Sequence, residues 1–316
     1  MGLSDEVVNV LIASCSVGTQ KQYRAYLLKW QGFCTARNLK MSDVTIKDVL
    51  SFLCKLFNDG IGYSAVNTAR SALSLVLPSI EGYSVGNHPL VTRFLKGVGK
   101  LKPPMPRYSY TWDVDLVFKL FDSWPSNKDL DLRQLTLKLA SLLAIVTAQR
   151  VQSLNLIRIS NIHTEGESIV IKISDNIKTS RPGGVQPCFK LPPYHQESIC
   201  VVSVLKKYLD VTDSIRSCDT LFISHSKPHK AVSNQTISRW LKNVLEIAGI
   251  DINVFSSHSY RHASTSKAFI NNCTIDTIFS QAGWSSRSKV FAKFYNRPVS
   301  CTGSSSEFVT AVCSRK

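Results

Sequence analysis

Apolar residues return every three or four positions through the first hundred residues. Tyr23, Tyr26, Leu27, Trp30 and Phe33 make one such stripe, with Lys21, Arg24 and Lys29 off it. The pattern predicts an amphipathic helix with Thr19 as its N-cap. A second helix is expected from about Ile46 to Phe57. A third should follow Ser64 as cap, with Val66, Ala69, Leu73 and Val76 in register, and a fourth should run from about Pro89 to Gly97. Four short helices with no strand signal between them predict a compact helical domain.

Lys102-Pro-Pro-Met-Pro-Arg107 ends that periodicity, because closely spaced prolines favour extended backbone and remove donors. Helices are expected again near Asp113 to Phe121 and Leu132 to Thr147. The texture then changes. Ile162-His-Thr, the run from Ser168 to Ser174 and the run from Gln186 to Leu191 cluster β-branched residues between turns at Gly166 and Gly183-Gly184, which predicts a small antiparallel sheet. Helical patterns resume at about Ser198 to Leu209, Ser233 to Ala248, Ser257 to Phe269, Ile275 to Ala282 and Ser288 to Tyr295, before a Ser-rich end. The expected fold is mostly α with a small antiparallel β-sheet. It divides into a helical domain over 1–101, a Pro-rich linker over 102–109, a second domain over 110–300 and a tail over 301–316.

Charge narrows the partner. Lys and Arg number 38 against 22 Asp and Glu, a net +16 for the whole chain with the excess running through both halves, which suggests a polyanion such as duplex DNA held between two basic domains. Nine cysteines show no CxxC and no tight His/Cys cluster, so a zinc site is not expected. His225 and His229 lie four apart, but Pro228 makes that segment a turn. Neither metal nor cofactor is expected. The longest apolar stretch, Leu135 to Ala148, is interrupted by Lys138 and too short for a bilayer. The odd cysteine count and a start without signal-peptide character lead us to expect reduced thiols inside a cell.

Several residues could act on a phosphate. Arg150 follows an apolar helix and opens another apolar segment, where its fork could be held toward an oxyanion; the same residue could equally cap the preceding helix. His258 and Arg261, in His258-Ser259-Tyr260-Arg261, share a face at a predicted helix N-terminus, a setting that favours an anion. Such pairs also occur by chance on surfaces. Trp284, after Gly283, offers an indole N–H or simply fills a core. Tyr295 ends a short amphipathic helix and by itself could be one more packed aromatic.

Taken in order, these residues resemble the catalytic set of the tyrosine recombinases, the phage and transposon integrase family. The Val-Gln-Ser-Leu context after Arg150, Ala282-Gly-Trp-Ser-Ser286 and Phe291-Ala-Lys-Phe-Tyr-Asn-Arg-Pro298 look most like the eukaryotic branch carried by DIRS-like and Crypton-like mobile elements. The resemblance covers roughly residues 15 to 300 and makes the first domain similar to the family's core-binding (SAM-like) DNA-binding domain and the second to its catalytic domain. It implies that Arg150 is the first catalytic arginine, that His258 and Arg261 form the His-x-x-Arg pair, that Trp284 takes the position held by His or Trp, and that Tyr295 is the nucleophile. Lys178 matches the family's hairpin lysine, although Lys172 and Lys190 flank the same hairpin. Ser153 stands where the family often has an acid, and Trp284 to Tyr295 is a couple of residues longer than usual.

The resemblance implies a site-specific recombinase that breaks and rejoins DNA through a 3′-phosphotyrosyl link, without metal or ATP. Arginines would neutralise the phosphodiester while Lys178 protonates the leaving 5′-oxygen. Two cuts in each of two duplexes imply a homotetramer on DNA, working in the nucleus if the host is eukaryotic. Two other readings remain open: a catalytically silent or domesticated DNA-binding protein, and strand relaxation like that of type IB topoisomerases.

Overall fold

The computed structural model describes residues 5–40, 43–105, 109–178, 180, 183–184 and 186–285. Its contacts divide the chain into two compact units, Met1–Met105 and Pro106–Lys316. In the first, five helices follow one another: α1 (Asp5–Ala13), α2 (Val17–Ala36), α3 (Ile46–Asn58), α4 (Tyr63–Val76) and α5 (Pro89–Leu101). The stripe on α2 packs as its spacing requires. Trp30 stacks on Phe33 at 5.6 Å and meets Phe52 of α3 edge-on at 5.1 Å, above a floor of Val49, Leu53, Val66 and Leu73.

Three expectations in this unit need correction. α1 was not anticipated, because its Val7, Val10 and Ile12 are exposed and form no buried stripe. α2 starts two residues earlier than Thr19, with Ser16 as its cap: the Ser16 Oγ accepts from the Thr19 amide at 3.2 Å. α4 is preceded by Gly62 rather than capped by Ser64. The start of α3 is held by Asp48, whose carboxylate accepts from both the Thr45 amide and the Thr45 hydroxyl. Those bonds, hydroxyl first, hold the Asp48 carboxyl below its ordinary range.

The second unit is built around α7 (Leu132–Thr147), buried on nearly every side and packed by α9 (Val201–Thr212), α10 (Asn234–Ile247) and α11 (Ser259–Ile270). Asp131 and Gln134 cap its start reciprocally. Even Lys138 is fully buried on it. The Lys138 Nζ donates to the Asn127 Oδ1 at 2.8 Å, and the Asn127 amide donates on to the Glu197 carbonyl at 3.0 Å. Burial holds this ammonium below the ordinary lysine range. Beside α7 lie α6 (Val114–Asp122), the one-turn α8 (Val151–Asn155) and α12 (Ile275–Ala282).

The small sheet is an antiparallel meander of β1 (Ile162–Glu165), β2 (Ser168–Lys172) and β3 (Cys188–Leu191), in that order. Ile169 pairs with Leu191 and Ile171 with Phe189. These residues close one side of the core, so a one-residue slip would expose them. The fold is thus mostly helical with a three-stranded antiparallel sheet, as the pattern predicts. α9 starts at Val201 rather than near Ser198, because Glu197–Ile199 form a 3-10 turn. The expected helix from Ser288 to Tyr295 and the tail over 301–316 lie outside the described residues.

Candidate active site

The site begins where α7 stops. Ala148 takes a left-handed conformation (φ 50°, ψ 26°) that turns the chain out of the helix, and Arg150 then becomes the N-cap residue of α8. Its carbonyl accepts from the Ser153 amide at 2.9 Å. The Arg150 guanidinium is half-buried and makes no hydrogen bond or ion pair with another described residue. It therefore does not cap α7, the alternative its sequence position leaves open.

Arg261 does that instead. Its Nη1 donates to the Ala148 carbonyl at 2.9 Å and its Nη2 to the Ala282 carbonyl at 2.6 Å. One guanidinium thereby joins the C-termini of α7 and α12, where helix dipoles place partial negative charge. Arg261 is 1% exposed. The Trp284 ring lies 4.4 Å from the guanidinium carbon, within cation–π range. Trp284 reaches this place because α12 ends on Gly283 at φ +65°, and the Trp284 amide returns to the Phe279 carbonyl at 2.8 Å, a helix-closing turn that favours glycine.

His258 is exposed and sits one turn before Arg261, at the start of α11, with its ring edge-on to His262 at 5.6 Å. The turn carrying it is fixed from beneath. The Trp112 indole N–H donates to the Ser259 Oγ at 2.8 Å, and that hydroxyl donates to the Ser256 carbonyl at 2.6 Å. Tyr260 is buried, and the desolvation of its phenol pushes its pKa well above the ordinary value; its hydroxyl donates to the Leu241 carbonyl.

Lys178 is exposed on the β2–β3 connection. Its segment is tied down by Ser180, which accepts from the Ile177 amide at 2.9 Å and donates to the Gln186 side chain at 3.0 Å. The two rival lysines differ. Lys190 forms an ion pair with Glu165 at 3.0 Å, whereas Lys172 is exposed opposite Cys188 in the sheet register. A cleft of about 730 Å³ opens between these parts, lined among others by Gln149, Ser180, Gln186, Gln281 and Trp284. No acidic side chain lines it among the described residues, which suits an anionic ligand.

The cleft is lined by Trp284 and by Gln149 and Ser180, which neighbour Arg150 and Lys178 in sequence; Arg261 is buried against the Trp284 ring, and His258 sits at the start of the helix that carries Arg261. Tyr295 lies outside the described residues. Sequence reasoning missed Gln149, Gln281 and Trp112. No local pattern marks them, because their partners are far away in the chain.

The described cysteines are free, and no group of three or more His, Cys, Asp or Glu among the described residues is placed to hold a metal ion. His225 and His229 sit in a turn, the latter with its Nδ1 at 2.9 Å from the Ser224 carbonyl. No helix among the described residues is long and apolar enough to cross a membrane.

Comparison with known proteins fits this geometry. Residues 124–299 match the phage integrase family, more than half of the chain, and the chain belongs to that family. No curated protein sequence matches. Among solved structures, the chain is similar to the XerH site-specific recombinase bound to palindromic difH substrate in a post-cleavage complex, at 14% identity and TM-score 0.60, over 84% of this chain and 73% of that one. It is also similar to a lambda integrase(75-356) dimer bound to a COC' core site, at 18% identity and TM-score 0.56, over 92% and 93%. The Tn1549 transposon integrase in complex with transposon right end DNA matches at 12% identity and TM-score 0.56, over 87% of each chain. At these identities the likeness establishes the fold.

Proposed function

We propose that this chain is a site-specific DNA recombinase of a mobile element that breaks and rejoins strands through a 3′-phosphotyrosyl intermediate on Tyr295. The observation that carries this reading is a cleft without acidic lining among the described residues, bordered by Trp284, which packs on Arg261, and by Gln149, the neighbour of Arg150, beside a segment bearing an exposed lysine. Arg150 grips the non-bridging oxygens of the phosphodiester, Arg261 joins it by exchanging its bonds to the Ala148 and Ala282 carbonyls for the phosphate, and His258 and Trp284 donate to the same oxygens as charge builds. Tyr295 attacks phosphorus in line, and Lys178 gives a proton to the departing 5′-oxygen. The bond to tyrosine retains the energy of the phosphodiester, so a 5′-hydroxyl can displace the phenol and reseal a strand without ATP.

The partner is double-stranded DNA, held by the helical domain over 1–101 and the catalytic domain over 110–300, with four copies assembling on two duplexes. The branch is the DIRS-like and Crypton-like one, which places the work in a nucleus. The first experiment incubates the protein with labelled duplexes from the DNA flanking its own gene, nicked so that cleavage releases a short 5′-hydroxyl fragment. A denaturant-resistant protein–DNA adduct that disappears in Tyr295→Phe is the expected result. Binding without an adduct across the tiled flanks would leave a DNA-binding remnant, and relaxation of supercoiled plasmid without strand exchange would favour the topoisomerase-like reading.

A further inference from the structure

The candidate site contains a residue that the proposed chemistry does not use and that is built into it more firmly than Arg150. Gln149 is 5% exposed and immediately precedes Arg150. Its Nε2 donates to the Gln281 carbonyl at 2.7 Å, and the Gln281 Nε2 donates back to the Val146 carbonyl at 3.2 Å. Two amides therefore cross between the end of α7 and the end of α12 in opposite directions. Three residues beyond Gln281 lies Trp284, and one beyond Gln149 lies Arg150.

Arg150 has little else to hold it. α8 spans five residues, and the Arg150 side chain makes no capping bond. Ser153, where a carboxylate three residues on could have gripped the guanidinium, is a buried, neutral hydroxyl. Arg261 also joins the two helix ends, but its fork is needed for phosphate in the proposed chemistry. A neutral amide suits the remaining task. It supplies a donor to a buried carbonyl and adds no negative charge to a cleft that must admit a phosphodiester.

We propose that Gln149 is a positioning residue for strand cleavage: through the crossed amides it sets Arg150 and Trp284 on one phosphate. The proposal rests on the strand-cleavage reading above. Misplacement of a reacting group by about 1 Å costs on the order of 100-fold in rate, so loss of this cross-brace should show in cleavage more than in binding.

The test compares the full-length protein with Gln149→Met, which keeps the side chain's length and removes its donors, on the nicked flank duplex. It measures the rate of adduct formation, duplex affinity by gel shift and melting temperature. The expected result is a rate at least tenfold lower with affinity within twofold. Because a merely structural residue would not couple to Arg150, Arg150→Lys is added in both backgrounds, and its cost should be at least threefold smaller beside Gln149→Met. An unchanged rate, or costs that simply multiply, overturns the proposal. If Gln149→Met fails to fold, Gln281→Met removes the return bond to Val146 and leaves Gln149 in place; a threefold or larger drop supports the brace, and an unchanged rate refutes it. Absence of adduct with the unmodified protein would sink the strand-cleavage reading and the role of Gln149 with it, whereas a normal adduct there with an indifferent Gln149→Met removes the role of Gln149 alone.

Discussion

The two arginines of the site should separate cleanly in stability, although the proposed chemistry needs both. Arg261→Ala removes two hydrogen bonds from a charged donor to helix-end carbonyls and a ring contact at 4.4 Å. Bonds of that kind contribute about 1.5–3 kcal/mol each, and a desolvated cation–π contact contributes about 2 kcal/mol. Against them stands the desolvation that a side chain 1% exposed no longer suffers. Two charge-assisted bonds lost, with two buried carbonyls left without those donors, net roughly 3–5 kcal/mol of destabilisation. For a unit of this size about 1 kcal/mol corresponds to roughly 2–4 °C, so melting should fall by about 6–20 °C. Arg150→Ala removes a half-buried side chain without a described partner and should stay within about 0.5 kcal/mol, or roughly 2 °C. Circular dichroism melts at one scan rate, with urea midpoints as a check, decide the matter. An Arg261→Ala protein that melts within 2 °C of the unmodified chain, or an Arg150→Ala protein that loses as much, would refute the assignment of Arg261 as the link between the two helix ends.

Other consequences can be measured on the same protein. Ala148→Gly should raise stability by about 0.5–1 kcal/mol in urea titration, because a Cβ at φ 50° sits in a strained region that glycine occupies freely. Lys138→Met should cost least near neutral pH and more as pH climbs toward the ordinary lysine pKa. Burial lowers the folded-state pKa of Lys138, so between that value and about 10.5 the unfolded chain binds more protons and the unmodified protein gains stability with rising pH, about 1.4 kcal/mol for each unit of depression. Paired melts from pH 7 to 10.5 that run parallel would exclude this account. Asp48→Asn should destabilise the first unit by about 0.5–1 kcal/mol at neutral pH. The Asp48 carboxyl is held below its ordinary value, so its contribution is present above about pH 4 and disappears as pH falls through the folded-state value, where the two proteins should melt together.

The fold was legible where burial is periodic. α7 and α12 have the boundaries their apolar spacing predicts, and the sheet follows the clusters of β-branched residues, because in both cases the core-facing positions repeat with the period of the element. Where burial fails, legibility fails. Val7, Val10 and Ile12 on α1 face outward, so no stripe announces the helix. At the start of α2 two hydroxyls compete. Ser16 and Thr19 bond to each other at 2.9 Å, and either satisfies the sequence signature of a cap; Ser16 is the one whose oxygen receives an orphan amide.

In the candidate site, the charged residues draw notice by local context, and the residues that hold their segments do not. Gln149 meets Gln281 across 132 positions, and Arg261 meets Ala148 across 113. Sequence puts Arg150 three residues past the end of α7, an ordinary place for a capping cation, and nothing nearby says otherwise. What decides the matter is that two helix ends, at Ala148 and Ala282, converge and leave two carbonyls facing one space. A forked donor can serve both at once, and Arg261, carried on a third helix, enters between them. Because Arg261 takes the caps, Arg150 keeps its donors uncommitted among the described residues, which is the condition under which a half-buried guanidinium can turn to an incoming phosphate without first breaking a bond.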